Sequence, residues 1–164
     1  MAINNVDTSF VNILKLPPHA IARMSGSEEY STLHGRVSFY QTRIGVLVSA
    51  EIAGLPFTNE NCKGQIFGFH LHAGESCTGN EYVPFANALT HYDTRGCPHP
   101  AHTGDFPSLL GNNGYAISVF LTDRFTVDDV IGKAVIIHSS PDDFTTQPSG
   151  NSGTKIACGI IEKL

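Results

Sequence analysis

Apolar and polar residues alternate along much of this chain, with the period of two that a half-buried β-strand requires. The alternation is clearest over residues 36–41 and 46–52, which a short segment containing Gly45 separates. This arrangement predicts a β-hairpin. Further strands are predicted over residues 13–16, 20–24, 64–72, 115–121, 134–138 and 155–162. Residues 127–131 read as a short helical turn.

Two long segments, residues 73–113 and 139–154, have no sustained period and are rich in loop-forming residues. A loop of about forty residues is uncommon in a compact domain unless something other than a hydrophobic core orders it. A metal ion or a disulfide would do so. The pattern predicts an all-β sandwich or flattened barrel of about eight strands, with both long loops on one side. We expect one domain over residues 1–164, with residues 1–12 as a loose arm.

Composition narrows the class of protein further. Apolar residues make up 41% and charged residues 15% of the chain, which excludes a disordered protein. The net charge of −5 gives no reason to expect a nucleic acid or an anionic membrane as partner. No apolar run is long enough to span a bilayer. The first residues lack the basic and apolar regions of a signal peptide, so we expect a cytoplasmic protein.

Five of the eight histidines fall within residues 70–102, and Asp105 follows them closely. They are His70, His72, His91, His99 and His102. Imidazole is the commonest metal-ligating side chain, and a carboxylate is its usual companion. A sixth histidine, His138, ends a later apolar run. This pattern predicts a metal site for two metals, whereas His19 and His34 lie outside it and are assigned no role.

The spacing of these ligands bears on which metals they hold. His70 and His72 are two residues apart on a predicted strand, so both rings project from one face. Intervals of eight, three and three residues lead from His91 to Asp105 and supply three nitrogens and one carboxylate oxygen, which suit tetrahedral zinc. His138 would complete a four-nitrogen set, which suits Cu(II) better.

Several short motifs together resemble one known family. They are Gly68-Phe69-His70-Leu71-His72, His91-Tyr92-Asp93, His102-Thr103-Gly104-Asp105, Ile136-Ile137-His138 and Ala157-Cys158-Gly159. In this order and spacing they resemble bacterial-type copper–zinc superoxide dismutases over roughly residues 33–162. The resemblance implies an immunoglobulin-like Greek-key β-sandwich, copper and zinc as cofactors, and the superoxide anion as substrate.

The family's residue roles carry over to matching positions of this chain. The implied copper ligands are His70, His72, His91 and His138. The implied zinc ligands are His91, His99, His102 and Asp105. His91 would therefore bridge the two metals as an imidazolate, which two nearby dications favour at neutral pH. The resemblance also implies that His91 supplies a proton to the forming peroxide.

The resemblance also assigns supporting residues. Asp142, with Asp143 as the adjacent alternative, would accept hydrogen bonds from His70 and His99 and so orient both rings. The four cysteines allow three pairings, and the resemblance implies a disulfide between Cys77 and Cys158. Cys62 and Cys97 have no counterpart in the family, which leaves a second bridge and two free thiols as alternatives.

Lys155 is the one departure in the implied active site, because the family has an arginine there. Lysine keeps the positive charge that attracts superoxide but lacks the planar pair of donors. We therefore expect catalysis with weaker orientation of the substrate. A non-catalytic copper or zinc carrier on the same fold is the alternative, and a missing copper ligand would favour it. A copper-only protein is disfavoured because the implied zinc ligands are present, and the sequence leaves a homodimer open.

Overall fold

The computed structural model describes residues 10–60 and 65–164. Within these residues the chain forms nine β-strands and little helix. The strands are β1 Ala20–Gly26, β2 His34–Thr42, β3 Gly45–Ala53, β4 Ile66–Phe67, β5 Phe69–His72, β6 Leu109–Leu110, β7 Tyr115–Thr122, β8 Ala134–His138 and β9 Lys155–Lys163. The helices are α1 Phe10–Ile13 and α2 Val127–Val130, with 3₁₀ turns at Glu28–Tyr30 and Ala86–Ala88. No helix in the described residues is long and apolar enough to cross a membrane.

Seven strands form one curled antiparallel sheet in the order β5-β8-β9-β1-β2-β3-β7, and β4 pairs with β6 beside it. The predicted all-β fold of a flattened barrel is therefore confirmed. The predicted hairpin is β2–β3, whose register runs from His34 opposite Ala53 to Thr42 opposite Gly45. Gly45 has a φ of +138°, which side-chain-bearing residues rarely adopt, so the alternation and the glycine together specify this turn.

The predicted strand over residues 64–72 is divided at Gly68, and residue 64 lies outside the described residues. β4 pairs with β6, whereas β5 pairs with β8, so the chain changes sheets at this glycine. Gly68 donates its N–H to Ser140 and accepts from the N–H of His138. A Cβ there would lie 2.7 Å from the Cβ of Ser152, so only glycine fits this close approach.

The prediction of a strand over residues 13–16 is wrong. Ile13 ends helix α1, and the residues after it form turns that hydrogen-bond back to Phe10 and Ile13. The apolar side chain of Ile13 packs against Tyr40 and Leu47 on the outer face of the sheet. Its hydrophobicity therefore reflects helix docking rather than strand pairing. Residues 1–9 of the predicted arm lie outside the described residues.

Residues of the hydrophobic core are adjacent in sequence to the predicted ligands and fix the segments that carry them. Phe106, next to Asp105, is buried with its ring 5.3 Å from that of Phe69 and 5.0 Å from that of Phe120. Phe69 in turn immediately precedes His70 on β5. Close-packed aromatic rings in a core have little freedom to move. The core therefore fixes both the strand and the loop that carry the predicted ligands.

A disulfide joins Cys77 in the long loop to Cys158 on β9, as predicted. The bond closes a loop of 81 residues, for which chain entropy corresponds to about 4–5 kcal/mol of stability. Cys158 lies opposite Ile136 on β8, two residues before His138. The disulfide thus ties the long loop to the strand pair that carries a predicted ligand. Cys97 is a free thiol, and Cys62 lies outside the described residues.

Candidate metal centre

Four buried histidines bring one nitrogen each to a single point. They are His70 and His72 from β5, His91 from the long loop and His138 from the end of β8, and these nitrogens all lie within 4.8 Å of one another. A shift in register between Ile137 and His138 breaks the regular β8–β9 pairing at this end. Such an irregularity redirects a side chain away from the regular face of the sheet.

Hydrogen bonds on the far side of each ring determine which nitrogen faces that point. His72 donates from Nδ1 to the carbonyl of Leu89 at 2.9 Å, and His138 donates from Nδ1 to the carbonyl of Gly153 at 3.3 Å. With these protons placed, the Nε2 atoms of His72 and His138 lie 3.3 Å apart as two lone pairs. Two acceptors at this distance repel each other unless a cation lies between them.

A second group of possible ligands lies alongside the first. It comprises His91, His99, His102 and Asp105, again with ligand atoms within 4.8 Å of one another. Asp105 is at the centre, because its carboxylate lies 2.7 Å from His91 Nδ1 and 3.1 Å from His99 Nδ1. It also lies 3.2 Å from His102 Nδ1 and accepts the backbone N–H of His102 at 2.9 Å. Three nitrogens and a carboxylate match a tetrahedral zinc site.

His91 belongs to both groups. Its Nδ1 faces Asp105, while its Nε2 is buried and has no hydrogen-bond partner. Two more nitrogens, Nδ1 of His70 and Nδ1 of His99, are also buried and make no hydrogen bond, because the Nε2 of each ring carries the proton that Asp142 accepts. The Asp105 carboxylate, 3.1 Å from His99 Nδ1, is an acceptor as well and cannot satisfy that lone pair. A buried polar atom without a partner costs free energy that an ion would recover. These three unsatisfied atoms, distributed over both groups, fit a centre that holds two metal ions.

Asp142 connects the two groups from behind. Its carboxylate accepts hydrogen bonds from His70 Nε2 at 2.7 Å and from His99 Nε2 at 2.9 Å. The same interactions fix both tautomers and leave the Nδ1 lone pairs facing the metal positions. The neighbouring Asp143 instead bonds Thr145 and Thr146 within an exposed turn. Of the two predicted candidates, only Asp142 contacts the histidine rings.

Burial shapes the protonation of the centre. It lowers the pKa of His70, outweighing the hydrogen bond to Asp142, and it lowers the pKa of His72 well below the usual value. Burial and the neighbouring His70 lower the pKa of His138 to about 3. Burial alone would raise the pKa of Asp142, but the hydrogen bonds it accepts hold it below its usual value. Neutral imidazoles beside a carboxylate are the protonation states that metal ligation requires.

Lys155 starts β9 and lines the same cavity as His72, His91 and His138. Its Nζ donates to the carbonyls of Phe85 at 3.1 Å and Leu89 at 2.7 Å, which hold the ammonium at the wall of the cavity. Partial burial lowers its pKa from the usual value. The carbonyl of Leu89 therefore serves both His72 and Lys155. Sequence reasoning missed Leu89, because a backbone carbonyl leaves no signal in residue type.

An antiparallel β-barrel that carries two histidine-rich ligand groups sharing one ring defines a two-metal protein. The sequence pattern of the copper/zinc superoxide dismutase family matches residues 33–161, well over half of the chain. The chain belongs to the copper/zinc superoxide dismutase family. It is an enzyme, a superoxide dismutase of the copper–zinc type, and its cofactors are copper and zinc.

Curated relatives agree with this assignment. A protein of Legionella pneumophila is 35% identical over 136 residues, which cover 78% of this chain and 77% of the relative. One from Pasteurella multocida is 36% identical over 137 residues, covering 73% and 74% of the two chains. One from Photobacterium leiognathi is 31% identical over 142 residues and covers 78% of each. All three are named superoxide dismutase [Cu-Zn].

Replacing Asp142 by asparagine tests its link between the two groups. The amide keeps the shape but presents a donor to one of the two Nε2–H groups, so one ring loses its orientation. We expect the affinity for metal to fall about 10–100-fold, the usual effect of losing such a partner. Competition titrations with copper and zinc measure it, with Asp143→Asn as the matched control. Unchanged affinities in Asp142→Asn would refute the role assigned to this carboxylate.

The buried histidines predict how acid affects the metal-free protein. In the unfolded chain each titrates near pH 6.5, whereas in the folded protein the pKa values of His70, His72 and His138 are lower. Unfolding therefore takes up protons below about pH 6.5. Above that pH these histidines no longer lower the free energy of unfolding. Below that pH each of these histidines lowers the free energy of unfolding, and His138 lowers it by about 1.4 kcal/mol per pH unit until the pH nears about 3, its pKa in the folded protein.

Urea unfolding of metal-free protein between about pH 8 and about pH 5 measures this dependence. We expect His138→Gln to reduce the slope by the contribution of one proton. His34→Gln is the control, because the exposed side chain of His34 makes one hydrogen bond within the described residues, to the carbonyl of Thr32. A stability that stays constant across this range would contradict the account.

Proposed function

We propose that this protein dismutates superoxide to dioxygen and hydrogen peroxide at a copper held by four histidines. The copper ligands in this proposal are His70, His72, His91 and His138. The zinc ligands are His91, His99, His102 and Asp105. The single observation that carries the assignment is the membership of His91 in both groups, with Asp105 at Nδ1 and an unsatisfied, buried Nε2.

Copper supplies alternating one-electron oxidation and reduction, and zinc supplies a fixed charge that does not change with turnover. His91 moves the proton in this proposal. Its Nε2 takes up a proton in the half of the cycle that releases dioxygen and donates it to the peroxide in the other half. Its Nδ1, which would be a zinc ligand together with Asp105, would hold the ring in place during the transfer. Asp142 holds His70 and His99 against rotation throughout.

Lys155 attracts and docks the anion in this proposal. It is the only lysine or arginine among the described residues that line the cavity of about 670 Å³ above the histidines. Two of its three ammonium hydrogens are committed to the carbonyls of Phe85 and Leu89. One donor remains for superoxide, whereas an arginine would offer a planar pair. The charge is therefore retained while the orientation of the substrate is less constrained.

The alternative of a non-catalytic metal carrier gains no support from the centre, because every proposed copper ligand is in place and buried. Lys155 also gives the cavity a group that a carrier would not need. The cytoplasmic location and a homodimer remain predictions. A stable disulfide is unusual in a reducing compartment, so the redox state of Cys77 and Cys158 in the cell bears directly on the location.

Superoxide consumption by protein with a measured copper and zinc content tests the function. We expect activity well above that of the same amount of free copper, and loss of that activity on chelation. Lys155→Gln should lower kcat/KM about tenfold and weaken its dependence on salt, because one charged donor is lost. Lys155→Arg should restore both.

The matched control is Lys163→Gln, which removes the same charge from an exposed residue that pairs with Asp128. It should leave kcat/KM nearly unchanged. Metal-loaded wild-type protein that consumes no superoxide would overturn the proposed function. Equal effects of Lys155→Gln and Lys163→Gln would overturn the role given to Lys155.

A further inference from the structure

Leu89 has a backbone conformation that leucine rarely adopts. Its φ of 61° and ψ of −143° lie close to a region populated almost only by glycine. A side chain in this conformation is strained, and such strain persists only where surrounding contacts impose it. Strained residues of this kind are concentrated at functional sites, so the metal centre is where the cause of the strain at Leu89 is to be sought.

Three hydrogen bonds impose the conformation. The N–H of Leu89 donates to the carbonyl of Ala86 at 3.0 Å and ends the 3₁₀ turn Ala86–Ala88. The carbonyl accepts from His72 Nδ1 at 2.9 Å and from Lys155 Nζ at 2.7 Å. Turning the backbone would break contacts of a proposed copper ligand and of the docking cation at once. The direction of the Leu89 side chain is therefore fixed by the site.

The side chain adds nothing to the hydrophobic core. Leu89 is 57% exposed and belongs to none of the buried clusters of the described residues. It nevertheless lines the cavity above the histidines. His72 and His138, only 2% and 5% exposed, form the floor of that cavity, so the half-exposed Leu89 lies at its mouth. The exposed apolar side chains of Tyr82 and Val83 line the same cavity.

We propose that Leu89 determines the size of the anions that reach the copper. Its isobutyl group, held at the mouth by a carbonyl that His72 and Lys155 both fix, leaves room for small anions and obstructs larger ones. The inference rests on the proposed function only in requiring copper at the four-histidine group. The backbone strain then has a simple cause. His72 and Lys155 require the carbonyl of Leu89 in this orientation, and a residue with a branched side chain adopts the necessary backbone conformation only with strain.

Two variants separate the side chain from the backbone. Leu89→Ala removes the bulk but keeps a side chain at positive φ, whereas Leu89→Gly removes both the bulk and the strain. Leu110→Ala is the control, because Leu110 is a 68% exposed leucine on β6 that does not line the cavity. The probes are azide, titrated through the absorption of bound Cu(II), and diethyldithiocarbamate, a bulky anionic chelator whose rate of copper capture is followed.

Capture by diethyldithiocarbamate should be roughly tenfold faster in both Leu89 variants, while the affinity for azide changes less than about twofold. Leu110→Ala should match the wild-type protein with both probes. Equal capture rates in all four proteins would overturn the inference. So would a change in Leu89→Gly alone, which would trace the effect to the backbone, or equal changes for both probes.

The proposed function can fail separately. If wild-type protein loaded with copper shows no azide-sensitive Cu(II) absorption, then the four-histidine site itself is wrong. If that absorption is present and the capture rates do not differ, only the role of Leu89 is wrong.

Discussion

The two nitrogen atoms of one imidazole ring, His91 Nδ1 and Nε2, face two different groups of ligands, and the surrounding structure keeps that ring in place. Nδ1 lies next to the carboxylate of Asp105. Nε2 faces the histidines of β5 and β8 and has no hydrogen-bond partner. In a protein without metals this arrangement would be costly, since several lone pairs converge in a buried space. Bound cations convert that cost into the binding energy of the centre.

The scaffold maintains this arrangement from three directions. The core holds Asp105 through Phe106, whose ring packs against Phe69 beside the first copper ligand proposed. Asp142 holds one ring of each ligand group from behind. The disulfide from Cys77 attaches the long loop to β9, where Lys155 begins the strand. Ordered elements thus support a centre whose ligands come largely from irregular segments.

Much of this could be predicted from the sequence, because the signals are periodic or chemically distinctive. The alternation in β2 and β3 predicted the hairpin, and the histidine pattern together with the family resemblance predicted which residues converge. A strand of two residues such as β6 is too short to show a period in the sequence. Its residues were therefore predicted to be part of the long loop. At Gly68 the sequence pattern continues although the chain changes sheets, because only a steric contact with Ser152 marks the point.

The role of Leu89 illustrates a different limit. Its contribution to His72 and Lys155 comes from a carbonyl that every residue possesses, and its strain comes from a dihedral angle that residue type does not reveal. From its residue type a leucine is expected either to be buried in the core or to lie on the surface without a role. Leu89 is exposed, and two residues of the site nevertheless fix its backbone. Only the folded chain connects it to the metal centre.

The shared ring of His91 is tested most directly by electron paramagnetic resonance of protein that carries Cu(II) in the four-histidine group and Co(II) in the group centred on Asp105. If one imidazolate joins the two ions, their unpaired electrons couple, and the copper signal seen with zinc in the second group should be lost or strongly broadened with cobalt. A copper signal that is the same with zinc and with cobalt would show that the ring does not connect the two metals, and would contradict the account of this centre.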